Sequence, residues 1–146
     1  PLPANPPSAV DVASPNLDQF RGDGGGQFLP PLADATVVRG YNGASGAARN
    51  DGIDYAATAC APVRAAGDGE VALVSSALGA LSPRFVLIRH DNGLFTVVGR
   101  VDQVAVGRGD RVSRGQTIAR VAPNQPPTVQ FRVMQGTQII DPEPYL

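Results

Sequence analysis

Few side chains in this 146-residue chain could act in catalysis or hold a transition metal. The sequence contains one histidine, His90, and one cysteine, Cys60. Zinc sites and Ser- or Cys-based triads depend on histidine, so a chain with one histidine lacks the parts for most of them. A single cysteine also excludes an internal disulfide framework and a cysteine-rich zinc site. The shortage of histidine therefore argues against ordinary hydrolytic chemistry.

The charge pattern excludes further classes of function. The net charge is −1, and no basic field points to nucleic acid or to an anionic lipid surface. No apolar run approaches the ~20 residues that a transmembrane segment needs. All basic residues are arginines, so no lysine is present for the covalent modification that biotinyl and lipoyl carrier domains require.

The composition changes along the chain and predicts two regions. Residues 1–34 are rich in proline and glycine, which favours a linker or an extended arm. Phe20, Phe28 and Leu29 could dock locally, and an arm that folds back over a groove is an open alternative. Residues 35–146 contain short β-type runs separated by turn residues and are predicted to form one domain.

The β-type runs predict an all-β fold with antiparallel hairpins and little helix. The strongest turn signal, Asp-Asn-Gly at 91–93, predicts a hairpin between strands at 85–90 and 94–101. Gly-Asp-Gly at 67–69 predicts a second hairpin, between residues 62–66 and 70–75. Further strands are expected at 36–41, 111–112, 116–121 and 128–134, and short helical turns at 56–61 and 76–81.

Strand parity predicts which side chains share a face. In the strand at 128–134, the apolar alternate residues belong in the core, whereas Thr128, Gln130 and Arg132 line the opposite surface or groove. In the strand at 94–101, the same rule groups Thr96, Val98 and Arg100.

Seven motifs in order resemble the LytM or lysostaphin-type zinc peptidases, which cut peptidoglycan cross-links. The matching region runs from about residue 28 to residue 146. Residues 50–54 (Asn-Asp-Gly-Ile-Asp) resemble the His-x-Gly-x-Asp opening, and residues 128–133 (Thr-Val-Gln-Phe-Arg-Val) resemble His-Leu-His-Phe-Glu-Val. The other five matches lie at residues 60–71, 88–93, 96–101, 106–118 and 140–146. The resemblance implies a LytM-type antiparallel β-sheet or barrel-sandwich domain.

The departures from the family pattern are more informative than the matches. In active members, the resemblance assigns zinc binding to the positions of Asn50, Asp54 and Gln130, and the remaining catalytic histidines to Arg100 and Thr128. All four histidines are absent and only Asp54 remains. Amides are poor zinc ligands and arginine does not ligate, so we expect no zinc, no cofactor and no peptidase activity. An Asp54–Arg100 ion pair or a shared water network is expected in place of the metal.

The resemblance implies a non-catalytic function in a protein-binding groove. Within the family, degenerate LytM-domain factors of Gram-negative bacteria activate N-acetylmuramoyl-L-alanine amidases in the periplasm at the division septum. They do so by accepting the helix that blocks the amidase in the former active-site groove. The residues predicted to contact the partner are Asn50, Asp54, Arg100, Thr128, Gln130, Arg132, Tyr41 and Val98.

Alternatives remain at this level. The groove could bind peptidoglycan without cutting it, as a cell-wall binding module. Asp54 and His90 could serve a residual enzyme with another metal, although His90 is better explained as a strand-end residue hydrogen-bonded near the turn at 91–93. Cys60, at a glycine position of the family pattern, is expected to be a small buried hydrophobic residue.

Overall fold

A computed structural model describes residues 27–44, 46–91 and 93–146. Within these residues the chain forms ten strands, which we number β1 to β10 in chain order. Their bounds are β1 Thr36–Arg39, β2 Ile53–Ala56, β3 Pro62–Arg64, β4 Gly69–Ser76, β5 Arg84–Arg89, β6 Leu94–Asp102, β7 Arg111–Val112, β8 Thr117–Val121, β9 Thr128–Gln135 and β10 Gln138–Ile140. The helical content of the described residues is limited to two 3-10 turns, Gly79–Leu81 and Glu143–Tyr145.

The strands form one antiparallel sheet in the order β1-β2-β9-β6-β5-β4-β7. Strand β10 pairs with β9, and β8 pairs with both β3 and β6. This architecture confirms the predicted all-β, LytM-type fold with little helix. No helix in the described part of the chain is long and apolar enough to cross a membrane.

One predicted hairpin is confirmed and the other is wrong. Strands β5 and β6 pair across the turn at 91–93, with the His90 amide donating to the Leu94 carbonyl at 2.9 Å. Strand β3 pairs with β8, not with β4, so Gly-Asp-Gly at 67–69 links two strands that are not neighbours. Turn chemistry alone does not reveal this, because a turn fixes the local bend and the tertiary pairing decides which strand lies beside it.

Two strands were missed in the sequence, and one predicted helical turn is absent. Strand β2 has only four residues, too few for a clear alternating pattern, and its polar residue Asp54 is buried like Ile53 and Tyr55. Strand β10 is three residues long. The stretch 56–61, predicted as a helical turn, contains the end of β2 and a non-helical connection.

The hydrophobic core lies under the apolar face of β9. Val129, Phe131 and Val133 are fully buried, as strand parity predicted, and Ile88 of β5 and Val98 of β6 belong to the same cluster. Strand β9 pairs with β2 on one side and with β6 on the other. Its apolar side chains point into the core, and the side chains of its other face have β2 and β6 as neighbours.

The end of the predicted linker packs into the domain. Phe28, Leu29 and Leu32 are buried, and the Phe28 amide donates to the Tyr145 carbonyl at 2.8 Å. The Leu29 amide donates to the Ala66 carbonyl at 2.9 Å. The packed domain therefore takes in residues before position 35, whereas the linker or arm predicted for residues 1–26 lies outside the described residues.

Candidate functional site

The pairing of β2 with β9 brings the predicted site residues onto one face of the sheet. Asp54 lies directly opposite Gln130, and Ala56 lies opposite Thr128. Directly opposed residues of antiparallel strands project to the same side, so these four share the face turned away from the core. The site therefore depends on strand register between two segments that are about 75 residues apart in the sequence.

Gln130 is the centre of this face. Its Nε2 atom donates to Asn50 Oδ1 at 3.0 Å and to Asp54 Oδ1 at 2.8 Å. Its Oε1 atom accepts a hydrogen bond from Arg132 Nε at 2.6 Å. The side-chain amide therefore uses both of its donor hydrogens and its acceptor within the protein.

Asn50 ties this centre to the preceding segment. Its Nδ2 atom donates to the Gly40 carbonyl at 3.0 Å, and the Asn50 backbone pairs with Asn42 in an isolated β-bridge. Asn50, Asp54 and Gln130 are 4 %, 5 % and 1 % exposed. Buried polar groups are stable when they are hydrogen-bonded, and each of these three has its partners inside the domain.

Arg100 enters the site from β6 through an unusual backbone conformation. Its φ of 66° is in the left-handed region, and the β5–β6 register shifts beside it. Strand parity predicted that Arg100 shares a face with Thr96 and Val98, and this is wrong because the irregularity turns the Arg100 side chain to the Gln130 face. There Nη1 donates to Thr128 Oγ1 at 2.6 Å and Nε donates to the Ala80 carbonyl at 2.7 Å.

The expected pair between Asp54 and Arg100 is confirmed. Arg100 Nη1 lies 3.9 Å from Asp54 Oδ2, with the two side chains 20 % and 7 % exposed. This distance makes an ion pair and not a short hydrogen bond, because the guanidinium is held by Thr128 and Ala80. We call the six connected residues the Gln130 network; its members are Asn50, Asp54, Arg100, Thr128, Gln130 and Arg132.

One of the two apolar residues predicted to line the groove, Val98, does not join this face. Val98 is 1 % exposed and lies opposite Phe131, so it belongs to the core and cannot contact a partner. This corrects the prediction, which rested on parity through the irregular part of β6. Tyr41 is half-buried against the core, and its hydroxyl lies close to Gly43.

The Gln130 network has a buried layer and a partly exposed layer. Asn50, Asp54 and Gln130 form the buried layer, whereas Arg100, Thr128 and Arg132 are half-buried. Burial lowers the pKa of Arg132, while the carboxylates of Asp51 and Asp54 raise it. Arginine nevertheless remains charged at neutral pH, so the outer layer presents two permanent cations.

The donor set does not fit a zinc ion of the kind found in peptidases. Such a site uses about three protein ligands, from His, Asp, Glu or Cys, and keeps a position open for water. Here one carboxylate is present, with one oxygen bonded to the Gln130 amide and the other facing the Arg100 guanidinium. Among the described residues no three His, Cys, Asp or Glu side chains lie together.

A small cavity of about 260 Å³ lies beside the network. It is bounded by Arg100 and Thr128 on one side and by the loops that contain Ser82 and Asn124 on the other. The loop before β5 folds over β6 at Gly99, where Leu81 packs so closely that any Cβ at position 99 would collide with it. The absence of a side chain at Gly99 therefore allows the loop to reach Arg100.

Sequence reasoning missed the contribution of this loop. Ala80 enters the site through its backbone carbonyl, which carries no side-chain signal. Leu78, in the same loop, is 94 % exposed, and an exposed leucine cannot be told from a buried one by composition.

His90 lies outside the site and is fully satisfied by hydrogen bonds. Its Nδ1 atom is 2.8 Å from the Asp68 carbonyl, and its Nε2 atom is 2.9 Å from Thr96 Oγ1. A carbonyl only accepts, so the neutral ring donates from Nδ1 and accepts at Nε2. Phe28 packs against the ring with centroids 4.7 Å apart. The interpretation of His90 as a structural residue is therefore confirmed, although its partners are Asp68 and Thr96 and not the turn itself.

The prediction for Cys60 is wrong. The residue is exposed, with a φ of 67°. A left-handed conformation explains why the family pattern has glycine here, and it turns the side chain to solvent instead of the core.

Comparisons with known proteins agree with this fold. The model of peptidase family M23 matches residues 48–142. The lipoprotein YgeR of Escherichia coli strain K12 is 31 % identical over 112 residues, which cover 75 % of this chain and 43 % of YgeR.

Solved structures give the same result. A zinc-containing peptidase from Vibrio cholerae superposes with a TM-score of 0.68 at 25 % identity, covering 78 % of this chain and 38 % of that one. The catalytic domain of the prophage-encoded M23 protein EnpA from Enterococcus faecalis gives a TM-score of 0.66 at 25 % identity, covering 80 % and 95 %.

The chain spans about two fifths of the length of YgeR and of the Vibrio cholerae peptidase. The family model covers well over half of the chain, including every residue of the Gln130 network. This chain therefore belongs to peptidase family M23.

Proposed function

We propose that this chain is a non-catalytic M23 domain that activates a peptidoglycan N-acetylmuramoyl-L-alanine amidase. In this proposal the face formed by the Gln130 network is the former active-site groove, and it accepts the helix that blocks the amidase. Activation occurs during septum splitting in the periplasm of a Gram-negative bacterium.

The observation that carries the proposal is the closed hydrogen-bond set around Gln130. Both donor hydrogens and the acceptor of this amide are used by Asn50, Asp54 and Arg132. The positions that hold a metal in active members are thus occupied by side chains that form hydrogen bonds with one another. Hydrolysis at such a site would need an activated water and a general base, and neither an open ligand position nor a free imidazole is available there.

A closed network is well suited to binding because it is rigid. Its buried layer is fully paired, so docking does not have to order it, and less of the binding energy is lost. A helix that binds this face when it leaves the amidase shifts the amidase towards its open state by the difference in affinity between the two states.

The cellular location in the proposal is supported by the relative from Escherichia coli, which is a lipoprotein. A lipid anchor places such a protein in the cell envelope, where peptidoglycan and its amidases are found.

The fold is also present in the crystal structure of the SpoIIIAH and SpoIIQ complex, where a chain superposes with a TM-score of 0.68 at 21 % identity, covering 82 % of this chain and 99 % of that one.

A dye-release assay on purified sacculi tests the proposal. We expect no release by this protein alone, and faster release by the cognate amidase when the protein is added. Arg132→Glu should weaken the activation, whereas Arg111→Glu, on the exposed strand β7, should not. Release of dye by the protein alone, or an amidase rate that does not respond to it, would contradict the proposal.

The second candidate is a cell-wall binding module. The cavity beside Arg100 and Thr128 keeps a concave site next to a fixed guanidinium, which could hold a peptide carboxylate of peptidoglycan. Sedimentation with sacculi in the absence of amidase separates the two candidates, because only a wall binder is retained.

A further inference from the structure

The face around the Gln130 network carries more positive than negative charge. Its guanidinium groups belong to Arg39, Arg49, Arg100 and Arg132, and its carboxylates belong to Asp51 and Asp54. Arg49 pairs with Asp51 at 2.8 Å and Arg100 with Asp54 at 3.9 Å, whereas Arg39 Nη2 donates to the Arg49 carbonyl. The chain as a whole has a net charge of −1, so this excess is local.

Arg132 is a half-buried cation of this face. Its Nε atom is held by Gln130 Oε1 at 2.6 Å, and within the described residues its guanidinium forms no ion pair with a carboxylate. Burial is the largest cause of the lowered pKa of Arg132. Asp51 and Asp54 raise this pKa by more than Arg100 and Arg49 lower it, so Arg132 lies close enough to all four charged groups to interact with them. Because Gln130 occupies only the Nε atom, a carboxylate placed against Arg132 could pair with its two Nη groups.

An exposed apolar residue lies in the loop that contacts Arg100. Leu78 is 94 % exposed and lies two residues before Ala80, whose carbonyl accepts the hydrogen bond from Arg100 Nε. Because Leu81 is locked over Gly99, the loop that carries Leu78 is held against β6. The loop with this exposed leucine therefore lies at the Arg100 edge of the face, and the guanidinium of Arg132 lies on the same face, further along β9 from Thr128.

We propose that the occupant of this face is an acidic, amphipathic protein segment that sets a carboxylate against Arg132 and an apolar side chain against Leu78. This inference rests on the proposed function and specifies the docking segment of the amidase. A protein segment is favoured over a peptidoglycan peptide because an exposed leucine adds binding energy only against another apolar group, and a helix can present acidic and apolar side chains together.

Titration of the full chain with the cognate amidase at low and high salt tests this inference. We expect Arg132→Gln to weaken binding about tenfold and to flatten its salt dependence, because a charge-assisted pair is lost. The glutamine amide can still donate to Gln130, and Arg132→Lys restores part of the salt dependence. Leu78→Ser should weaken binding and leave the salt dependence unchanged.

Two controls separate docking from folding. Arg111→Gln removes an exposed arginine from β7 at the far edge of the sheet and should bind like the wild type. Urea denaturation of each variant identifies any loss of affinity that reflects unfolding. In the reciprocal test, replacing one acidic residue of the amidase helix by lysine should restore binding to Arg132→Glu.

The outcomes distinguish this inference from the proposed function. Suppose that the wild type activates the amidase and that Arg132→Gln binds with unchanged affinity and salt dependence. This result would overturn the proposal of an acidic docking segment but would not contradict amidase activation. No binding and no activation by the wild type would overturn both. Retention of the wild type on sacculi without amidase, lost in Arg132→Gln, would assign the carboxylate to peptidoglycan and overturn the protein partner.

Discussion

Gln130 shows how a single amide can occupy the place of a metal-binding side chain. Three neighbours depend on it: the side-chain Oδ1 atom of Asn50, one carboxylate oxygen of Asp54 and the Nε atom of Arg132. An amide can serve all three because it combines two donor hydrogens with an acceptor oxygen. A histidine with one donor and one acceptor would leave one neighbour unpaired.

Replacing Gln130 by leucine should be strongly destabilising. The change leaves Asn50 and Asp54 buried without their donor and costs about 2–3 kcal/mol of unfolding free energy. Gln138→Leu, at the exposed first residue of β10, is the matched control and should change stability little. Urea denaturation measures both, and equal midpoints for the two variants would show that the network does not stabilise the fold.

The buried His90 makes stability depend on pH in a defined range. Burial lowers its pKa below the usual 6.5. The unfolded chain therefore binds a proton at a higher pH than the folded chain, so stability decreases as the pH falls through and below 6.5 towards the folded-state pKa. Because His90 is the only histidine, no other histidine contributes in this range.

His90→Gln should remove this pH dependence. The glutamine amide can donate to the Asp68 carbonyl and accept from Thr96, as the neutral ring does. We expect the urea midpoint of the wild type to fall between about pH 7.5 and about pH 5.5, and that of the variant to fall less. Parallel curves for the two proteins would contradict the assignment to His90.

At the level of elements, register and one irregularity build the site. The β2–β9 register sets Asp54 opposite Gln130, and the left-handed backbone at Arg100 turns a guanidinium to the same face. The resemblance to zinc peptidases implies that these are the positions of a metal site, although the side chains present do not fit a metal. Replacing the side chains at these positions therefore tests whether the backbone can still hold a metal.

Restoring histidines at three of these positions should create a zinc site. In the triple variant Asn50→His, Arg100→His and Gln130→His, the imidazoles at positions 50 and 130 and the Asp54 carboxylate can supply three ligands. The guanidinium of Arg100, which competes for Asp54, is removed. Histidine also tolerates the left-handed backbone better than most residues. We expect stoichiometric zinc after dialysis and a higher urea midpoint with zinc than with a chelator.

The control for this restoration places three histidines far apart at exposed glutamines, in Gln103→His, Gln116→His and Gln138→His. This variant and the wild type should not retain zinc. A folded restoration variant that also fails to retain zinc would show that the backbone positions no longer match a metal site.

For the whole molecule, the packed domain extends into the proline-rich region. Phe28 is buried against His90 and lies near Tyr145, and Leu32 belongs to the same core. The segment thus joins the start of the described chain to its end and to the β5–β6 hairpin.

A fragment of residues 35–146 should therefore be less stable than a fragment of residues 27–146. Removal of Phe28, Leu29 and Leu32 exposes the core surfaces that they cover, at a cost of at least about 3 kcal/mol. Urea denaturation compares the two fragments directly. Equal stability of the two fragments would show that the domain begins at about position 35, as the composition predicted.

The sequence by itself determined the all-β class, the β5–β6 hairpin, the apolar face of β9 and the residue types at the site, because strand parity and turn residues act over a few positions. It also predicted the Asp54–Arg100 pair through the family resemblance. Only the tertiary structure decided that β3 pairs with β8, that Val98 lies in the core and that Arg100 turns to the opposite face. It also decided that Leu78 is exposed in the loop whose Ala80 carbonyl holds Arg100. The physical reason is that these features depend on contacts between segments distant in the chain and on a backbone irregularity, and neither leaves a periodic signal in the sequence.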